Sequence, residues 1–305
     1  MSRHILIFYF LALSIIIKAQ NFQVIYSASD SAIEAGNYTL AVQLLQGTIA
    51  HGENSFDKET AMYNICCVYA LEGRTDSAFL CIEKYLAFKD RMDIFYDPDF
   101  FNLITDKRWA QLFDRLSKTY FTDHPGYNKK KVYQLSIMQI RDQAWYKAVK
   151  VAEKKYGKTS VEAKNIWKKK DYLNQLNIDL LYQMSPNGEF PDSKEIGYDK
   201  FETLFLIIQH ADLKTQEKFL PEIKKLSERN ELSKESFALL SDRVLVREGK
   251  MQLFGTQVKT DSTGKSIVCP ILNEMNVNTR RKEYGMSTLE DYLIHFNISY
   301  HLPEK

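Results

Sequence analysis

The segment LFLIIQHAD, residues 204–212, runs five apolar side chains into Gln209, His210 and Asp212. An imidazole titrates near neutrality, so it can take up or release a proton during a reaction. A neighbouring carboxylate can orient it. Further along, Asp242 and Arg243 are adjacent, and FGTQ follows at 254–257. The guanidinium fork of Arg243 suits a carboxylate or phosphate. Gly255 would let a ligand approach the backbone closely, and Thr256 and Gln257 offer hydrogen-bond donors and acceptors. One reading is therefore catalytic: a hydrolase or transferase acting on a small polar or envelope substrate. His210 would be the general base, Asp212 or Asp242 its orienter, and Arg243 the anion clamp.

Acid–amide pairs recur in otherwise apolar helical text. Asp142 stands with Gln139 and Gln143, Asp171 with Asn174, and Gln209 with Asp212. Spacings of three or four place two side chains on one helix face. His210 lies about 100° round from the face of Gln209 and Asp212. A second reading makes Asp142, Gln143, Asp171, Asn174, Gln209, Asp212, Gly255, Thr256 and Gln257 the lining of a polar ligand-binding cleft. A third makes the same groups a buried network that holds helices in register, with Arg243, Arg280 and Arg281 as countercharge, because buried polar groups must be hydrogen-bonded. No metal site is expected, since one histidine among distant acids is a poor zinc signature. No cofactor is called for: GxSxG, HExxH, GxxxxGK[ST] and a GxGxxG after a strand are all missing from the sequence.

The elements that must position these groups are mostly helices. The text at 131–157 ends at Gly157, and Thr159 or Ser160 can cap a helix reaching about Met184. A loop rich in Pro, Gly and Asp covers 185–197. Helices are expected from about Tyr198 to Asp212, Lys214 to Arg229, and Ser233 to Glu248. Residues 250–259 and 265–271 then alternate around DSTG, which reads as a β-hairpin at about 250–271. The tail returns to two short helices broken at Gly285. Earlier, Asp97-Pro98 and Asp106 each start a short helix, and Trp109, Leu112, Phe113 and Leu116 form an apolar stripe. The fold class is mainly α with a small β-hairpin.

The chain begins with a basic residue and an apolar run, Ile5–Ile17, followed by KAQ. That pattern reads as a signal peptide at 1–20, with an uncleaved anchor helix as the alternative, and the first reading implies export to the periplasm or beyond. No later segment is apolar enough to span a membrane. Loss of Arg3 and Lys18 leaves 39 basic residues facing 39 acidic ones. A neutral chain has no broad basic field, so nucleic acid is not an expected partner; a small polar ligand or an envelope protein is. Cys66, Cys67, Cys81 and Cys269 fit no zinc spacing. They read as small buried residues or, in an oxidising compartment, as a bridge from Cys81 to Cys66 or Cys67.

Two resemblances organise the chain further. Residues 35–50 and 72–87 align with an offset of 37, pairing Gly36 with Gly73, Ala41 with Ala78, Leu45 with Ile82 and Thr48 with Tyr85. This resembles the tetratricopeptide repeat, whose period is near 34. Repeats of that kind are scaffolds for packing or binding. The expected division is a repeat region at 21–120, a linker at 121–130 around Pro125-Gly126, and a mostly helical domain at 131–305. Within the last, Asp142-Gln143, Asp171 with Asn174, QHAD, Asp242-Arg243 and FGTQ resemble, in that order, a bacterial domain of unknown function. FGTQ departs from the YGTQ form by one phenol. The resemblance implies no activity.

Overall fold

A computed structural model describes residues 22–51, 55–87 and 91–303. The signal-like segment 1–20 lies outside them. The protein is mainly helical, with one small two-stranded sheet among the described residues. Among the described residues no helix is long and apolar enough to cross a membrane.

The chain divides into two compact units. One takes the described residues up to Pro125 together with Gln139–Trp167; the other takes Gly126–Met138 and everything from Lys168 onward. The chain thus first passes between units at Pro125-Gly126, and residues 139–167 return to the first unit.

The first unit opens with α1 (22–34), α2 (Tyr38–His51), α3 (Ser55–Leu71) and α4 (Thr75–Leu86). Consecutive helices pack on each other, α2 on α3 and α3 on α4. The two turns, α1 to α2 and α3 to α4, are built alike. Gly36 and Gly73 adopt φ of +74° and +79°. Asn37 N donates to Ala32 O, and Arg74 N to Tyr69 O. These are helix ends closed by a left-handed residue that only glycine adopts without strain. The residues that the 37-residue offset pairs are buried at both positions: Ala41 and Ala78, Leu45 and Ile82, Thr48 and Tyr85.

Two 3-10 turns, Asp93–Tyr96 and Pro98–Leu103, lead into α5 (Lys107–Asp123). Asp97 and Asp106 cap their elements by accepting from Asp99 N and Arg108 N. Arg108 also bonds Asp106, which holds that carboxyl down at about 2. Trp109, Leu112, Phe113 and Leu116 are all buried. Trp109 meets Phe95 edge-on at 5.0 Å and Phe100 at 5.7 Å.

The long helices α6 (Lys129–Tyr156) and α7 (Val161–Met184) have residues in both units. Ser160 caps α7 through Ala163 N. The second unit continues with the one-turn α8 (Ser193–Ile196), then α9 (Lys200–Gln209), α10 (Leu213–Glu228) and α11 (Lys234–Arg247). Helix α9 is apolar nearly all round, with Phe201, Leu204, Phe205, Ile207 and Ile208 buried. Such a helix is stable only inside a core, and here Leu135, Leu181, Phe219, Ile223 and Leu240 surround it in one cluster. Ser233 caps α11 by accepting from Ser236 N.

Strands β1 (Val258–Thr260) and β2 (Ser266–Val268) pair antiparallel, Val258 opposite Val268 and Thr260 opposite Ser266. They are shorter than the alternating sequence suggests. The remainder of the hairpin text is held by an isolated bridge between Gln252 and Ile271, by the backbone bond from Cys269 N to Gln257 O, and by the side chains described below. Helices α12 (Val277–Glu283) and α13 (Leu289–Ile294) follow, separated at Gly285 with φ of +70°.

The fully buried Trp109 anchors the aromatic cluster of the first unit. Trp109→Ala should therefore lower unfolding stability by about 3–5 kcal/mol, measured by denaturant titration.

Candidate functional site

The polar letters of QHAD sit at a corner between two helices. The expected helix to Asp212 ends instead at Gln209, and His210 closes it with φ of −97°. Asp212 is extended, with ψ of 166°, and caps α10 by accepting from Thr215 N at 2.9 Å. Gln209 and Asp212 therefore do not share a helix face: one ends α9 and the other starts α10. Asparagine, aspartate, serine and threonine win at such positions because their side chains satisfy a helix's first N–H groups.

The last carbonyls of α9 need partners too. Arg243 donates to Gln209 O at 2.8 Å, and Arg247 to Ala211 O at 2.8 Å. Gln216 Nε2 adds bonds to Ile208 O and Gln209 O. Cations suit a helix C-terminus, where carbonyl dipoles converge. Arg243 and Arg247 are four apart on α11, so a single face delivers both. Arg247 and Gln216 complete the corner. Arg247 was missed in the sequence, although its spacing from Arg243 was a readable signal.

Asp242 is fully buried on the same helix. Its carboxylate accepts from Leu253 N at 2.7 Å, Phe254 N at 3.0 Å, and Thr256 N and Thr256 Oγ1, both at 3.0 Å. A carboxylate can be stripped of water only when donors replace it in this way. The FGTQ loop is thus wrapped around Asp242. Gln257 Nε2 bonds Thr256 Oγ1 at 3.0 Å. The buried Gln252, also missed in the sequence, acts like a strand: Oε1 accepts from Gln257 N, and Nε2 donates to Gln257 O and Cys269 O.

Gly255 has φ of +72°, and a Cβ there would lie 2.6 Å from Leu289 Cδ1 and 3.1 Å from Ile271 Cδ1. Its closeness serves packing by α13, rather than the ligand approach expected from the sequence. From the other side Arg281, itself buried, donates to Phe254 O at 2.7 Å and Ser287 O at 2.6 Å. Arg280 reaches Leu253 O and Leu272 O. Burial pushes both guanidinium groups down, and the charge of Asp242 opposes that shift. Tyr292 lies under the Arg281 guanidinium at 4.8 Å and donates to Thr256 O.

The remaining expected site residues lie elsewhere on the chain. Asp142 and Gln143 belong to the stretch of α6 in the first unit, where Gln143 Nε2 donates to the buried Asp142 at 2.6 Å. Asp171 is exposed on α7, and the half-buried Asn174 accepts from Lys170 Nζ at 3.3 Å.

The second unit also carries a groove of about 700 Å³ where α7 faces the start of α10. Gln175, Ile178, Asp179, Tyr182 and Gln183 line it from one side, and Asp212, Lys214, Thr215 and Lys218 from the other. The first set and Lys214 and Lys218 of the second follow helical spacing, so each marks one face of its helix, and Asp212 adds the cap of α10. Gln175 Nε2 bonds Asp179 at 2.9 Å. Lys218 Nζ sits 4.4 Å from the Tyr182 ring centre and bonds Pro186 O at 2.7 Å. The Thr215 hydrogen bonds hold the Asp212 carboxyl below its ordinary value, with Lys214 and Arg247 adding to the effect. Of the QHAD residues, Asp212 joins the corner to this groove.

Residues 133–305 match the profile of a family described as Family of unknown function (DUF6624). No curated protein matches the chain, and no solved structure does.

Removing the Asp242 carboxylate strands three N–H groups and a hydroxyl. Asp242→Ala should cost about 3–5 kcal/mol and Asp242→Asn about 1–3 kcal/mol, read from urea unfolding. The Asp212 carboxyl is depressed in the fold. Its contribution is present above the ordinary carboxylate pKa and is lost as pH falls through the lowered value. Asp212→Asn should accordingly flatten the stability–pH profile below about pH 4, the usual carboxylate range.

Proposed function

From the premise that the chain belongs to this family of unknown function, matched over more than half its length, we propose that it is an exported ligand-binding protein. Its ligand is a small zwitterion such as an amino acid or short peptide. The single observation that carries this reading is the groove of about 700 Å³ between α7 and α10, with Asp179 on the α7 wall and Asp212, Lys214 and Lys218 on the α10 wall. A volume of that order suits a small molecule. Groups of both signs suit a ligand carrying both an ammonium and a carboxylate. Asp212 already takes up the Thr215 N–H at the start of α10, which disfavours a purely anionic ligand there.

Binding is preferred to catalysis because two of the groups assigned catalytic roles, Asp242 and Arg243, are engaged with backbone. Asp242 accepts from the FGTQ loop and Arg243 donates to Gln209 O. His210 stands at the C-terminus of α9. The QHAD, Asp-Arg and FGTQ segments act in this reading as the frame that sets the groove wall at Asp212. Export rests on the basic and apolar start of the sequence. The paired glycine turns of α1 to α4 support a tetratricopeptide-like front end, whose role is packing or spacing.

Thermal shift and calorimetric titration against amino acids and short peptides test the reading. A zwitterion should raise Tm, and Lys218→Ala or Asp179→Ala should each weaken it roughly tenfold, about 1.4 kcal/mol. His210→Ala should change affinity less than about twofold, a difference of about 0.4 kcal/mol. Turnover of a bound ligand that disappears with His210→Ala would instead establish the hydrolase or transferase alternative.

A further inference from the structure

Cys66, Cys67 and Cys81 play no part in the site above, and two of them touch. Cys66 on α3 and Cys81 on α4 are both buried, and their Sγ atoms lie 2.6 Å apart, with the Cys66 thiol donating to the Cys81 sulfur. Non-bonded heavy atoms settle at about 3.5–4.0 Å, so these two are pressed together by the packing of α3 on α4. Their surroundings differ. Cys81 lines an open groove of about 410 Å³, together with Gln46, Ile49, Met62, Leu80 and Lys84. Cys66 is fully buried behind it.

We propose that Cys81 and Cys66 form a redox-active dithiol that reacts with small anionic disulfides entering this groove, Cys81 attacking and Cys66 resolving. The Cys81 thiolate attacks one sulfur of a disulfide RSSR. The Cys81–SR bond forms, the RS–SR bond breaks, and RS⁻ leaves to take up a proton. The Cys66 thiol then gives up its proton, and its sulfur attacks the Cys81 sulfur. A Cys66–Cys81 bond forms and the second RSH departs. The protein dithiol loses two electrons, and the incoming disulfide gains them.

The electrostatics support this order. The hydrogen bond from Cys66 lowers the Cys81 thiol, and Lys84 lowers it further, against the opposing effect of burial. Burial raises Cys66, so it stays protonated until the second step. Lys84 at the rim favours a disulfide carrying carboxylates. The neighbouring Cys67 is different. Burial raises it, and the carboxylates Asp97 and Asp99 raise it more, which leaves an inert thiol.

The test uses the purified chain, reduced, freed of reductant, and exposed to oxidised glutathione. Acid-quenched peptide mapping should find a Cys66–Cys81 crosslink, with Cys67 and Cys269 still free. Cys66→Ser should instead accumulate a glutathione adduct on Cys81, and Cys81→Ser should form neither product. Iodoacetamide should label Cys81 at least roughly tenfold faster than Cys67 or Cys269. Four free thiols after oxidation, or a first adduct on Cys67 or Cys269, would overturn the proposal. The crosslink map of the unsubstituted chain decides the matter even if a serine variant fails to fold.

Discussion

The second unit depends on one buried carboxylate. Asp242 has no contact with solvent, and its charge is balanced by the N–H groups of Leu253, Phe254 and Thr256 and by the Thr256 hydroxyl. An unpaired charge in that position would cost several kcal/mol. The loop therefore has little choice of conformation: any other path leaves the carboxylate bare. Arg280 and Arg281 close the loop from outside by taking its carbonyls. Asp242 thus fixes the loop, the loop fixes α12 and α13, and Gly255 lets Leu289 pack close against it.

Helix α11 carries a second constraint beside the first. Asp242 points to the loop, while Arg243 and Arg247 reach the C-terminus of α9. One helix thereby ties together an apolar helix end and an irregular loop. Neither could be buried alone, because each exposes backbone groups that need partners. The polar segments are mostly this tie. The groove beside them, with Asp212 at the junction, holds the groups left facing open space.

The first unit achieves its packing by other means. Its helix pairs rely on small residues, Ala41 and Ala78, and on glycines that reverse the chain without strain. The close approach of α3 and α4 also brings Cys66 and Cys81 together. That pair was legible as two cysteines on neighbouring helices. Which of Cys66 and Cys67 meets Cys81 was not, because adjacent helical residues point about 100° apart and the packing angle selects between them.

Much of the helical outline was legible in the sequence for a local reason. Caps at Asp97, Asp106, Ser160 and Ser233 bond within three residues, and the turns at Gly36, Gly73 and Gly285 need only a local φ. The 37-residue offset likewise marked pairs that are buried at both positions. The partners of the polar residues were not legible. Asp242 bonds residues 11 to 14 positions away, and Arg243 a residue 34 positions away. QHAD shows the difference most clearly. Its residue types were fit for a helix face or a helix corner alike, and helical spacing favoured the face. The corner won because a buried helix such as α9 must have its last carbonyls satisfied, and Arg243, Arg247 and Gln216 could do that only once α10 and α11 had packed against it.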